Sequence, residues 1–332
     1  MKIVAITPRQ KTDALTSLII EGMKDSEIEI IASDTGNGVN REYSDEDIVH
    51  HARDADYIFT FFGKSGGSQP HPKYYLLDRI NMPDKSVYID GSEWTSTGHA
   101  DNNSQIMAQF NDNGPIHAQA FEAKFNSLRY RGEPWINEEM LLKCRWYFKR
   151  ECYPEDSEKG IIPLPFGMLN SYFNPPRLFK DIDLFCAFGQ KYTGLRFEVD
   201  DYCKNFASKK HTVCVGGSLS REEYRHYLSR CHVGVSAWGG GNCCMREWEI
   251  IASNACCFIQ RPMIMMPDRP QDGIHWVEYS SVNEFSEKLD FYMNKIDECI
   301  KISNTGYNFA KEHHTGKARV KYMLDIMRGD KA

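Results

Sequence analysis

Arg246 and Glu249 stand three residues apart behind Trp238-Gly239-Gly240-Gly241-Asn242-Cys243-Cys244, a glycine-rich turn leading into a segment that reads as a helix. Glycines let backbone approach a ligand without Cβ atoms in the way, and the first turn of the helix offers unpaired N–H groups and a positive dipole end. An anion is the expected guest. Arg246 adds a planar fork of donors suited to phosphate oxygens, and Glu249, on nearly the same helical face, can accept hydrogen bonds from sugar hydroxyls. A nucleotide sugar carries both groups. The alternative is a tight strand-to-helix turn followed by an ordinary Arg246–Glu249 surface pair, and the turn alone does not choose between them.

Proton transfer needs a further group, and Asp90, Glu93, His99 and Asp101 all lie at or after the end of one strand-like segment. Asp90 is favoured, although Asp90-Gly91 is also a common turn pair. His99 has the side chain best matched to proton transfer near neutral pH, set against an ordinary surface histidine. Gly63-Lys64-Ser65-Gly66-Gly67 lacks the Walker spacing and is a weak phosphate motif. Lys143, Arg145, Lys149 and Arg150 are interleaved with Trp146, Tyr147 and Phe148, a mixture that could track a nucleic-acid backbone. An amphipathic helix running into a buried strand is the favoured reading of that segment.

The composition bounds these choices. The chain has 332 residues, 41% hydrophobic and 26% charged, with a net charge of −6. That is globular composition, long enough for two domains, and too acidic for a surface that binds nucleic acid everywhere. No apolar run of about eighteen residues occurs, and the opening Met1 to Thr7 reads as a strand rather than a signal peptide, so a cytoplasmic protein without stable membrane insertion is expected, in the host cytoplasm if it is viral. The 11 cysteines are scattered, with adjacent pairs at Cys243-Cys244 and Cys256-Cys257, and reduced thiols fit them better than disulfides. No Cys-x-x-Cys occurs, and His313 with His314 lacks partners at ligand spacing, so no metal is expected.

Hydrophobic periodicity supplies the elements that must position these groups. Strands are expected at Lys2 to Thr7, Glu27 to Ala32, Tyr57 to Phe62 and Ser86 to Asp90, with helices at Asp13 to Met23, Ser44 to Ala52 and Tyr74 to Arg79 between them. A polar stretch from Trp94 to about Asn126 has no clear period, and strands near Trp146 to Arg150 and Ile161 to Pro163 follow it. Pro163, Pro165, Pro175 and Pro176 then suggest a hinge. The alternation restarts with strands at Ile182 to Phe188, Thr212 to Val215, Val233 to Ser236 and Cys256 to Gln260. The helices between are Arg196 to Phe206, Ser220 to Ser229, opened by Ser220 with Glu223 at capping-box spacing, and Met245 to Ser253. Terminal helices are expected at Val282 to Met293, Lys295 to Asn304 and Ala318 to Arg328. The fold class is therefore α/β, two Rossmann-like doubly wound domains. Gly189, Gly216-Gly217 and Gly239 to Gly241 should converge on one crevice at the carboxyl ends of the second set of strands.

At Arg246-Glu247-Trp248-Glu249-Ile250-Ile251-Ala252 the second half resembles the donor-binding domain of GT-B glycosyltransferases, within the spore-maturation-protein-like and group 1 glycosyl transferases. The resemblance includes Leu219 to Tyr224, Cys231 to Ser236 and the tail from Tyr307 to Tyr322, and in the first half Tyr88 to Gly91, Tyr147 to Glu151 and Ile162 to Gly167. It implies an acceptor-binding domain over 1–168, a nucleotide-sugar domain over 169–310, and a C-terminal helical segment, 311–332, packing back on the first domain. It implies that Glu249 binds the donor ribose, that Arg246 serves the diphosphate or the sugar, and that Gly189, Lys191 and Arg196 hold the leaving diphosphate, with Gly217, Gly240 and Gly241 lining the same subsite. Many retaining members carry a second glutamate eight positions before the ribose-binding one. Gly241 stands there instead, which leaves the stereochemical outcome open.

The expected activity is transfer of a sugar, hexosyl or pentosyl, from a nucleotide-diphosphate sugar to an acceptor hydroxyl, with no separate cofactor. The acceptor is a cell-envelope glycan or a hydroxylated base in phage DNA, which would have to be flipped out of the duplex. A catalytically inactive nucleotide-sugar-binding or regulatory protein of the same fold is the alternative. A dinucleotide-dependent enzyme fares worse, because no Gly-x-Gly-x-x-Gly follows the first strand of either half.

Overall fold

The structure, a computed structural model, describes residues 1–8, 13–62, 73–92, 136–173, 175–177, 179–188, 195–206, 213–216, 219–239 and 242–330. Among them two parallel sheets form. The first contains β1 (Lys2–Ile6), β2 (Glu29–Ala32), β3 (Tyr57–Phe61), β4 (Ser86–Asp90), β5 (Trp146–Lys149) and β6 (Ile161–Pro163) in the order β2-β1-β3-β4-β5-β6. The second contains β7 (Ile182–Ala187), β8 (Val213–Gly216), β9 (Cys231–Ser236), β10 (Cys256–Gln260) and β11 (Val277–Tyr279) in the order β11-β10-β9-β7-β8. Every strand pair in both sheets is parallel. Strands covered on both faces read as continuous apolar runs, as in fully buried Val4, Ala5 and Ile6 of β1 and Cys256, Cys257 and Phe258 of β10.

The helices of the first half are α1 (Ala14–Asp25), α2 (Asp45–Ala52), α3 (Tyr75–Ile80), α4 (Glu138–Lys143) and α5 (Pro154–Ser157). Those of the second are α6 (Leu195–Phe206), α7 (Arg221–Arg230), α8 (Met245–Ala252), α9 (Val282–Met293), α10 (Ile296–His313) and α11 (Gly316–Arg328). Local chemistry starts them where expected. Ser44 caps α2 by accepting from Asp47 N, and Ser220 and Glu223 form a reciprocal capping box on α7.

One expectation changes, and one pair of alternatives is decided. The helix expected to end at Asn304 runs on to His313 as α10, through Gly306. A Cβ on Gly306 would lie 2.2 Å from the His275 carbonyl oxygen, so this glycine permits close packing rather than ending the helix. The basic and aromatic segment is buried at its centre, with Arg145 exposed. α4 leads into β5, where Tyr147, Phe148 and Lys149 are buried, while Lys143 pairs with Asp78 at 2.6 Å and Glu139 at 2.8 Å. The favoured reading of Lys143 to Arg150, a helix running into a buried strand, is borne out over the nucleic-acid groove, because its central side chains are sealed in the first sheet.

The chain end returns to the first half. α11 lies against α1, with Gly22 and Gly316 in backbone contact: a Cβ on Gly22 would meet the Gly316 oxygen at 2.0 Å, and one on Gly316 would meet the Leu18 oxygen at 2.3 Å. Beside this contact Met168 N donates to His314 O, and a Cβ on Gly167 would lie 2.0 Å from that same oxygen. Buried Arg319 donates to the Phe166 carbonyl at 2.9 Å and to Nδ1 of His314, whose ring stacks on Trp248 of α8 at 4.4 Å. Nδ1 is therefore the acceptor nitrogen, which leaves Nε2 to donate to the Asp268 carbonyl at 2.9 Å. Burial holds the Arg319 guanidinium down at about 10 and the His314 imidazole well below the usual range. Gly316→Ala is expected to cost roughly 3 kcal/mol, since backbone atoms rather than flexible side chains must yield. Urea unfolding measures this, and a loss under about 1 kcal/mol would rule out the close approach.

Candidate functional site

The carboxyl edge of the second sheet gathers the charged groups. β7 runs out into Phe188, and β9 into Ala237, Trp238 and Gly239. Arg196 reaches this edge from the first turn of α6, and Arg246 from the first turn of α8. Both guanidiniums donate to one acceptor, the Ala237 carbonyl, at 3.4 Å each. Both lie against the Phe188 ring, at 5.0 Å and 4.9 Å from its centroid. The ring face and the shared carbonyl partly offset the repulsion between two like charges. The packing around them is close, because a Cβ on Gly239 would stand 3.3 Å from Cys244 Sγ and 3.6 Å from Arg196 Nη2.

Glu249 lies beside this pair. Burial pushes its carboxyl up, against the opposing pull of Arg246, a hydrogen bond from Tyr224, and the charges of Arg221 and Arg225. α7 and α8 thus hold one carboxyl among a phenol and three guanidiniums, which oppose the effect of its burial.

The turn between β9 and α8 meets the first half of the chain. Glu151, fully buried just past β5, accepts from Asn242 N at 2.9 Å and Cys243 N at 3.1 Å. Asn242 donates through Nδ2 to Tyr153 at 3.1 Å and accepts at Oδ1 from Met263 N at 2.8 Å. One residue on, Cys244 N donates to Glu247, whose other oxygen accepts from Ser236 at 3.1 Å. Burial pushes the Glu247 carboxyl up to about 7. The carboxyl edges of the two sheets therefore touch at this turn, and carboxylates of the chain itself occupy the amides of Asn242, Cys243 and Cys244. The expectation that the helix start would by itself cradle an anion narrows accordingly, and Arg196 and Arg246 become the principal cationic groups of the described site.

Asp90 ends β4, 1% exposed. Its Oδ2 accepts from Tyr147 and from Lys149 Nζ at 3.1 Å, and its Oδ1 from Ser92 N at 2.9 Å; Lys149 also donates to Ser92 at 2.8 Å. A carboxylate engaged by three donors and sealed from solvent is poorly placed to take a substrate proton. His99, Gly189, Lys191, Gly217, Gly240 and Gly241 lie outside the described residues, as do Glu93, Asp101 and the Gly63 to Gly67 run. Arg196, Arg246 and Glu249 are brought together, and Asp90 stands on the other sheet. Sequence reasoning gave no role to Phe188, Tyr224, Glu247 and Glu151. Of these, Glu247 carried a local clue, standing three residues after Cys244 at capping spacing. Among the described residues no group of three or more His, Cys, Asp or Glu could hold a metal ion, and no helix is long and apolar enough to cross a membrane.

Two parallel doubly wound sheets meeting at their carboxyl edges, with paired arginines and a glutamate on the second, define the two-domain GT-B architecture. Residues 182–325 match the family model of the glycosyl transferase-like proteins. Solved structures share the whole fold. An alpha-glucosyltransferase in complex with UDP and a 13-mer DNA containing a central A:G mismatch superimposes with TM-score 0.57 at 10% identity, covering 98% of each chain. A glycosyltransferase from Rickettsia africae ESF-5 gives TM-score 0.52 at 11% identity, over 99% of this chain and 98% of that one. Anabaena Alr3699/HepE in complex with UDP and glucose gives 0.50 at 10%, over 99% and 100%. No curated protein sequence matches the chain.

Proposed function

We propose that this protein transfers a sugar from a nucleoside-diphosphate sugar to an acceptor hydroxyl, with the donor bound at the carboxyl edge of the second sheet. The observation that carries the reading is the convergence of Arg196 and Arg246 on Ala237 and Phe188, beside Glu249. In this reading the two guanidiniums take the diphosphate and stabilise the charge that develops on it as the glycosidic bond breaks. Glu249 accepts from the ribose hydroxyls, its position set by Tyr224. Gly189, Lys191, Gly217, Gly240 and Gly241 are proposed to complete the subsite, and no metal or further cofactor is invoked.

Asp90 is proposed to fix Lys149 and Ser92 at the end of β4 rather than to act as the base. His99, nine residues on in sequence, is then the candidate proton acceptor. The acceptor hydroxyl is on a modified DNA base or on a glycan. The DNA option rests on the fold shared with the DNA-bound alpha-glucosyltransferase, since Lys143 to Arg150 no longer supports it.

Mass spectrometry of a nucleotide-sugar panel against hydroxymethylated DNA and glycan acceptors tests the proposal. Transfer to one acceptor class is expected, and donor binding without hydrolysis or transfer would favour an inactive binding protein. With the active donor, Glu249→Gln is expected to raise donor KM about tenfold and change kcat little, the loss of one charge-assisted hydrogen bond in both ground and transition states. An unchanged KM would remove Glu249 from the ribose.

A further inference from the structure

A second polar cavity lies at the opposite end of β9 from the donor crevice. It has a volume of about 250 Å³, and its polar lining is Arg177, Lys180, His232, Asn254, Ser303 and Asn304. His232 is the second residue of β9, whereas Ala237 follows its last, a separation of roughly 16 Å at the rise of a strand. Among the described residues no carboxylate lines this cavity.

Its floor is a desolvated ammonium. Lys180 donates to the backbone oxygen of Asn254, which sits with φ of 56° just past α8. Burial lowers the Lys180 pKa, and among the described residues no ion pair balances it. Asn254 spends both protons of its amide on the wall, donating to the Ser303 carbonyl at 3.3 Å and Asn304 Oδ1 at 3.0 Å. Nδ1 of His232 is buried and has no hydrogen-bond partner. Burial, and then the Lys180 charge, lowers the pKa of that ring, against the pull of Asp183 and a hydrogen bond to the Lys180 backbone. A neutral guest would leave the ammonium unbalanced; an anion would accept from Lys180 and His232 and meet the Arg177 guanidinium at the rim.

We propose that this cavity is a binding site for a phosphate-bearing ligand, separate from the donor crevice. A single phosphoryl group fits its volume, and either free phosphate or a phosphomonoester of a small metabolite meets the same donors. The inference does not depend on the sugar-transfer reading.

The test is titration of the full chain with inorganic phosphate at constant ionic strength. It follows the thermal midpoint and the His232 ring resonances, the latter assigned by their loss in His232→Gln. A saturable rise in midpoint with a shift of the His232 resonances is expected. Lys180→Met should abolish both, and Arg177→Ser, a change at an exposed rim position, should weaken binding about tenfold without altering the phosphate-free midpoint. Repeating the titration with glycerol phosphate separates the two sources: tighter binding than phosphate points to a phosphomonoester, equal binding to phosphate itself. The proposal fails if phosphate leaves the His232 resonances unmoved, or if the effects persist undiminished in both Lys180→Met and Arg177→Ser. Lys180 would then be only a cation closing the carboxyl end of α8.

Discussion

Arg246→Ala is expected to lower kcat/KM for the donor by about 100- to 1,000-fold, roughly 3 to 4 kcal/mol of transition-state stabilisation, with the fold intact. The fold should survive because Arg246 is half-buried in the first turn of α8 and the backbone around it is held by other groups, Glu151 and Glu247 among them. The activity should not survive, because a leaving diphosphate gains charge as the glycosidic bond lengthens and a guanidinium fork answers two of its oxygens at once. Arg246→Lys keeps the charge but not the fork, so partial recovery is expected. Arg196→Met should cost a similar factor. It keeps an unbranched apolar stem against Phe188, where alanine would leave a gap beneath the ring. The two arginines share Ala237 and Phe188, so their losses should not add; the double variant should fall short of the product of the singles. Release of nucleoside diphosphate, with and without acceptor, gives the rates. Wild-type turnover in Arg246→Ala would exclude this edge as the donor site, whatever the fold. Because both cations are side chains, saturating chelator should leave activity above background.

What the sequence made legible was whatever local spacing decides. Ser220 with Glu223, and Ser44 before an acidic first turn, fixed where α7 and α2 begin, and the apolar runs of β1 and β10 fixed a covered parallel sheet. Arg246 and Glu249 were legible because both lie on one helix directly behind the glycines. Lys143 to Arg150 shows the converse. Composition alone cannot separate a basic aromatic surface from a strand whose lysine is buried against a carboxylate, and Asp90, 59 residues before Lys149, is the partner that decides it. The length of α10 was hidden for a related reason: the carbonyl that requires a glycine at Gly306 belongs to His275, on another segment. Phe188 could not be read as a platform for two arginines until the ends of β7 and β9 were neighbours in space. Each of these depends on a contact remote in sequence, which no periodicity carries.

Glu151 makes another such remote contact, 91 residues from Asn242, and removing it should have the second large effect, on stability and donor binding together. Glu151→Ala strips two buried amides, Asn242 N and Cys243 N, of their acceptor. It also leaves the buried Arg150 guanidinium, 3.5 Å from Glu151 and stacked on Phe166 at 4.5 Å, without its neighbouring carboxylate. Unsatisfied buried donors cost about 1 to 3 kcal/mol each, so a loss of roughly 3 kcal/mol is expected in urea unfolding. Glu151→Gln should recover only part of this, since its carbonyl can serve one amide while its own N–H groups oppose the other. Glu151→Asp should recover little, because the shorter stem withdraws the carboxylate by about one C–C bond, 1.5 Å, from amides it now meets at 2.9 and 3.1 Å. The turn that Glu151 anchors also sets where Arg246 begins. Donor KM should therefore rise in all three variants, in the order of their stability losses. A KM that fell instead would mean the opposite: that Glu151 competes with the diphosphate for the start of α8, and that the freed amides bind it. Unchanged stability in Glu151→Ala would show that the two sheets are not tied together at this turn.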